Sequence, residues 1–281
     1  MNQIELSKRL GVCSWSLQPA SVEELIRGVQ EVNLGKVQLA IDPIRENPTE
    51  WESTLEKCKA AGIEIASGMV VTKGEDYSSL ESIKITGGVV PDEHWDENLE
   101  NLKKNAVIAK NLGIQLVTFH AGFLPHDSND PNFGKLQNRI RILADLYGDL
   151  GLELGFETGQ ETAITLVEFL ELLERENVGV NFDPANMILY NKGNPIEALK
   201  GLSKYIMQCH IKDGTYTKVD GEWGEEVTTG TGEVDWKAFF QAIEEIEYKK
   251  DFFIEREAGN QRIVDIISGR DYIAGIVEED E

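Results

Sequence analysis

Strand-like apolar runs alternate with helix-like stretches along this whole chain, and that alternation leaves few architectures open. Four runs in the second half carry the clearest signal: 152–156, 178–182, 205–209 and 252–254. Each is followed at once by a residue able to bind a metal, respectively Glu157, Asp183, His210 and Glu255. Asp183 stands 26 residues after Glu157 and His210 stands 27 after Asp183, about the length of one strand plus one helix. The step of 45 residues to Glu255 fits the same unit with a long loop inserted. In a parallel barrel such positions all emerge at one rim.

The first half repeats the pattern. Strands are expected at 10–15, 36–41, 63–70 and 115–120. A helix starts after Ser21, which has Glu24 at capping-box spacing, and another spans 48–61, with Pro48 in its first turn and Gly62 past its end. Further helices are expected at 96–112, 135–149, 162–176, 194–203, 234–247 and 261–276. Leu166, Leu170 and Leu173 share one face of the fifth of these eight, as suits a helix covering a sheet. The polar stretch 72–92 is too long for an ordinary connector and reads as an active-site loop. Eight strand–helix units with no linker predict an α/β chain folded as one closed (β/α)8 TIM barrel over 1–281. An open doubly wound sheet would need a glycine-rich first turn, and GxGxxG is absent; Gly230-Thr231-Gly232 is a lone pair of glycines and weak evidence for phosphate binding.

Composition narrows the function. Fifty acidic residues against 27 basic ones give a net charge of −23, a field that repels phosphate backbones and argues against a nucleic-acid partner. No run approaches the roughly 20 apolar residues of a membrane span, and the N-terminus lacks a basic start followed by an apolar stretch. Those features predict a cytoplasmic protein with no membrane partner. Cys13, Cys58 and Cys209 are odd in number and far apart, so they read as reduced, buried thiols.

Taken singly, a strand-end carboxylate is most often a helix cap or a salt-bridge partner, and a lone histidine is most often a core residue. Four at successive strand ends outweigh that reading. Glu157, Asp183, His210 and Glu255 are therefore expected to converge on one divalent cation. Three carboxylates and an imidazole make a hard, mostly oxygen site, suited to Mn²⁺ first, with Mg²⁺ or Co²⁺ as alternatives and Zn²⁺ less apt. Strand alternation puts Lys212 on the face of His210, where it either binds substrate or pairs with a carboxylate. It also turns Glu257 back towards Glu255, and Arg256 away to a rim salt bridge. His120 and Trp15, closing their strands, are candidate substrate-binding residues, as is Gln160; a packed histidine and a barrel plug are the bland readings of the first two.

The segments Gly155-Phe156-Glu157-Thr158, Asn181-Phe182-Asp183-Pro184-Ala185-Asn186, His210-Ile211-Lys212-Asp213 and Ile254-Glu255-Arg256-Glu257 resemble the xylose-isomerase-like barrel superfamily, in its sugar-phosphate isomerase/epimerase branch. That resemblance implies the same four cation ligands, and assigns Glu157 and Glu255 a second job as the catalytic acid/base pair. It implies a divalent-metal-dependent isomerase or epimerase of a sugar-derived hydroxy-ketone, working by proton transfer through an enediolate. The partner is then a small carbohydrate, and homo-oligomers are common among relatives. Asn186 stands where ketose epimerases carry a substrate-contacting histidine, and Tyr216 where they carry an arginine, so a standard ketohexose epimerase is disfavoured. A lyase or dehydratase eliminating β to a ketone is the alternative, with His120 or Lys212 as general acid. Phosphodiester chemistry like that of endonuclease IV would call for more histidines than the four present, and a non-catalytic barrel would not need an intact ligand set.

Overall fold

The structure, a computed structural model, describes residues 1–125, 130–219 and 221–279, so the acidic end at Asp280 and Glu281 lies outside it. Its strands are β1 (Leu10–Cys13), β2 (Lys36–Ala40), β3 (Glu64–Met69), β4 (Leu116–Phe119), β5 (Glu153–Glu157), β6 (Val178–Phe182), β7 (Ile206–Ile211), β8 (Asp213–Thr215), β9 (Glu225–Val227) and β10 (Phe252–Ile254). Eight of them close a parallel barrel in the order β1-β10-β7-β6-β5-β4-β3-β2, while β8 and β9 form a separate antiparallel pair. Helices wrap the outside. Leu166, Phe169, Leu170 and Leu173 of helix Ala163–Leu173 are buried against the strands, because their spacing gathers them on one stripe. No helix among the described residues is long and apolar enough to cross a membrane.

Several expected boundaries shift, each for a local reason. The first strand stops at Cys13 and a short helix, Ser14–Leu17, takes Trp15; the Ser14 hydroxyl accepts a bond from Ala40 N–H at 2.8 Å. The helix expected over 48–61 covers only Thr54–Ala60, with turns at 48–53, and a separate short helix, Asp42–Glu46, precedes it. Asn47 precedes Pro48 and so leaves the helical region, and Ser53 is left-handed at φ 58°. The 72–92 stretch contains a helix, Leu80–Thr86, capped by Ser79. The long loop after His210 holds the β8–β9 hairpin, anchored by buried Asp213. That carboxylate accepts from the N–H groups of Gly214, Gly230, Gly232 and Val234 and from Trp236 Nε1.

The barrel interior beneath the rim is unusually polar. Gln38, Ser67, Thr118, Asn181 and Gln208 are all buried there. They satisfy one another: Gln38 Nε2 donates to Thr118 Oγ1 at 2.8 Å, Ser67 Oγ to Gln208 Oε1 at 2.5 Å, and Gln208 Nε2 to Asn181 Oδ1 at 3.1 Å. Such a layer costs desolvation that an apolar plug would avoid, so its use lies in what it supports above.

Candidate metal centre

Glu157, Asp183, His210 and Glu255 meet at the rim, with one potential ligand atom from each lying within 4.8 Å of the others. From His210 Nδ1 the distances are 3.1 Å to Glu157 Oε1, 3.4 Å to Glu255 Oε2 and 3.6 Å to Asp183 Oδ2. Two-residue periodicity brings them there: Asn181 and Asp183 share one face, as do Gln208, His210 and Lys212, and Phe253, Glu255 and Glu257.

Each ligand atom is aimed from behind. His210 Nε2 lies 2.8 Å from Gln38 Oε1 and 2.9 Å from Asn181 Nδ2, so Nδ1 is the nitrogen turned to the cluster. Asp183 divides its two oxygens. Oδ1 caps helix Pro184–Leu189 through Ala185 N–H (2.8 Å) and Asn186 N–H (3.0 Å), while Oδ2 faces the cluster. The helix-cap reading and the ligand reading therefore both hold, for one carboxylate. Glu157 is held by Asn181 Nδ2 (2.5 Å) and Asn186 Nδ2 (3.2 Å), and Glu255 by Trp15 Nε1 (2.7 Å) and Lys212 Nζ (2.7 Å).

Buried polar atoms without a hydrogen-bond partner are rare and call for an explanation. Asp183 Oδ2 and His210 Nδ1 are two such atoms, and both point into the cluster. With the carboxylates of Glu157 and Glu255 gathered around them, a divalent cation fits the donor set.

The charges interact strongly. Burial pushes Glu157 up to about 7, helped by the nearby carboxylates of Glu255 and Asp183 and opposed by His210. Burial acts in the same sense on Glu255, but the Lys212 ammonium and His210 outweigh it and hold that carboxyl well below the usual range. His210 is likewise drawn well above its ordinary value, since Glu157 and its neighbours overcome the burial that disfavours a charged ring.

A cavity of ≈ 480 Å³ opens above the cluster. Glu157, Glu255, Asn186, His120 and Lys212 line it, and Lys212 at the same time bridges Glu255 and Glu257 (2.8 Å to the latter). Asp183 and His210 lie beneath its floor. Trp15 and Gln160 sit one layer back, behind Glu255 and His120 respectively. Sequence reasoning did not single out Tyr77, Tyr190, Glu226 or Arg262, which also line the cavity. Tyr77 falls within the flagged 72–92 loop; the others had no local signal. Trp223 lines the wall too, its ring 4.6 Å from that of Tyr190. Arg256 turns away to pair with Glu226 and Asp265, and Glu161 accepts from Leu124 N–H.

Comparison with known proteins extends this description. The family model described as xylose isomerase-like TIM barrel matches residues 24–274. The crystal structure of a xylose isomerase domain protein from Planctomyces limnophilus superposes with a TM-score of 0.85 at 32% identity, covering 90% of this chain and 92% of that one. Two curated relatives align in part. The uncharacterized protein YihM of Escherichia coli (strain K12) is 34% identical over 105 residues, 37% of this chain and 32% of its own length. Inosose dehydratase of Clostridium botulinum (strain Alaska E43 / Type E3) is 25% identical over 145 residues, 46% of this chain and 48% of its own.

Proposed function

The chain belongs to the xylose isomerase-like TIM barrel family, and from that premise we propose that it is a divalent-metal-dependent isomerase or epimerase of a sugar or sugar-derived hydroxy-ketone. One observation carries the reading. Two buried atoms with no partner, Asp183 Oδ2 and His210 Nδ1, face each other across a cluster of carboxylates on the floor of a substrate-sized cavity. Glu157, Asp183, His210 and Glu255 hold the cation; the donor set favours Mn²⁺, with Mg²⁺ or Co²⁺ as alternatives. When bound, it supplies Lewis acidity, polarising a carbonyl and its neighbouring hydroxyl so that the intervening C–H becomes acidic.

The chain's own residues do the rest. Glu157 and Glu255 approach the reacting carbon from different strands and serve as acid and base. Returning the proton to the same carbon from another face gives epimerisation, and to the adjacent carbon isomerisation. Trp15 and Lys212 fix Glu255 through both of its oxygens, and Asn181 and Asn186 fix Glu157. Asn186, Lys212 and His120 line the volume a substrate would occupy.

A second reading, elimination of water or an aglycone β to the ketone, is supported by the partial alignment with inosose dehydratase. It shares the first proton abstraction. The test is incubation of Mn²⁺-loaded protein with hydroxy-ketones in D₂O under NMR. C–H exchange with an isomer as product supports the proposal, loss of water favours the second reading, and absence of exchange with every metal tried sinks both.

A further inference from the structure

His120 brings a second polar group to the cavity wall, from the end of β4. The residue is 9% exposed, and its ring lies 6.0 Å from that of Tyr77. Its Nδ1 is 3.1 Å from the side-chain amide of Gln160 and 3.7 Å from Glu75 Oε1. The Glu75 carboxylate is itself fixed, by Thr72 Oγ1 at 2.8 Å and Gly88 N–H at 3.1 Å. Gly88 adopts φ +67°, and a Cβ there would meet the Ala121 backbone at 2.1 Å, so main chain packs directly on main chain beside His120. Backbone contact, not a flexible surface side chain, therefore sets the distance between Glu75 and the ring.

Burial pushes His120 down to about 4, which leaves a neutral ring with one N–H and one lone pair. Gln160 Oε1 is buried without a partner. As placed, Gln160 Nε2 faces both His120 Nδ1 (3.1 Å) and Tyr190 Oη (3.4 Å); with the amide turned, Oε1 accepts from Nδ1–H and from Oη–H, and the ring's lone pair belongs to Nε2. Glu75, too far for a hydrogen bond, is close enough to stabilise a transient imidazolium.

We propose that His120, backed by Glu75, is a catalytic residue that moves a proton between substrate oxygens while the ligand carboxylates act at carbon. The inference rests on the enolisation reading above. In a ketose–aldose interconversion a carboxylate removes the C–H proton, and the carbonyl oxygen gains the displaced electron pair. His120 Nε2 accepts the proton of the neighbouring hydroxyl as that oxygen becomes the new carbonyl, and the carboxylate returns its proton to the former carbonyl carbon. The imidazolium then passes its proton to the other oxygen, and every proton is accounted for. Glu75 acts through His120 and is a positioning residue.

The probes are 1,3-dihydroxyacetone and D-fructose in D₂O with metal-loaded protein. C–H exchange reports the carbon step, and aldose formation reports carbon and oxygen steps together. In His120→Asn the ratio of aldose formation to C–H exchange is expected to fall about thirtyfold, whatever substrate contact the substitution also removes. Glu75→Gln is expected to lower kcat for aldose about tenfold at unchanged KM, and it serves as the second reading should His120→Asn fail to fold. Parallel loss of exchange and aldose formation in a folded His120→Asn, no loss of either, or an unaltered kcat in Glu75→Gln overturns the inference. A wild type that exchanges nothing fails earlier, at the enolisation reading itself.

Discussion

The two halves of the barrel rim contribute to the site in different ways. β5, β6, β7 and β10 each deliver one cluster residue directly from the strand end: Glu157, Asp183, His210 and Glu255. β1 to β3 and the segments after them deliver supports, and β4 leads into His120 in the cavity wall. Gln38 from β2 holds His210, Trp15 from the helix after β1 holds Glu255, and Glu75 and Tyr77 arrive on the segment after β3. A side chain on a strand inherits its direction from the pleat, whereas one on a loop takes it from packing that is settled only on folding. The cluster half should therefore control cation affinity outright, and the supporting half should tune it.

The largest effect is expected from Asp183→Asn. Asparagine keeps an oxygen for capping Ala185 and Asn186 N–H, but presents an amide to the cluster or sacrifices the cap. Cation affinity should fall by more than the roughly 10–100-fold typical of a supporting residue, with little change in the metal-free melting temperature. Calorimetric Mn²⁺ titration checks it; near-wild-type affinity would remove Asp183 from the ligand set and break the comparison.

Legibility in the sequence follows the same division. Period two, read from the apolar runs, placed Glu157, Asp183, His210, Lys212, Glu255 and Glu257 on inward faces, and the barrel followed from the alternation of strands and helices. The same parity could have exposed Gln38, Asn181 and Gln208, polar residues at inward positions of otherwise apolar strands. Tyr190, Glu226 and Arg262 are different. Their places depend on the β8–β9 hairpin and on where helices begin, and no short window of sequence encodes how a 20-residue loop folds back. The Asp42–Glu46 helix and the break at Ser53 were hidden for a related reason: Pro48 is equally at home in a helix's first turn and just past another helix's end.

Glu161 lies on the seam between the halves, tying the segment after β4 to the loop after β5 through Leu124 N–H at 2.8 Å. Burial pushes its pKa from 4.5 up to about 7. A raised folded-state pKa means that its stabilising contribution is complete below about 4.5 and is lost as pH rises through about 7. At 1.36 kcal/mol per pKa unit, the loss is about 3 kcal/mol across that window, with no further change above it. Glu161→Gln keeps an acceptor for Leu124 and removes the titration. Denaturant unfolding at pH 5 and pH 8 should show the variant gaining up to about 3 kcal/mol on wild type at the higher pH. Equal differences at both values would mean that Glu161 is not held neutral at the seam.

Gln38→Leu sharpens the comparison from the supporting side. It removes the oxygen that faces His210 Nε2 and the amide that donates to Thr118 Oγ1, both in the buried layer. Cation affinity should fall about 10–100-fold, less than for Asp183→Asn, because the ligand is misdirected rather than lost. Mn²⁺ titration of the two variants side by side measures the gap; a larger loss for Gln38→Leu would reverse the assigned roles of the two halves.

Trp15→Phe should have the smallest effect on the cation and a visible one on turnover. Phenylalanine keeps a smaller aromatic ring beside His210, whose centroid lies 6.1 Å from that of Trp15, but loses the Nε1–H bond to Glu255 Oε1. Lys212 still holds Oε2 at 2.7 Å, so the carboxylate stays charged and in place but gains freedom to rotate. A hydrogen bond to a charged group contributes about 1.5–3 kcal/mol, and only the part that orients Glu255 towards a substrate carbon should reach kcat. The expected result is a fall in kcat of about tenfold with cation affinity within about threefold of wild type. Should affinity instead drop as far as in Gln38→Leu, Trp15 would be holding Glu255 as a ligand rather than aiming it as a base, and the two supports would be doing the same job, one from a helix and one from a strand.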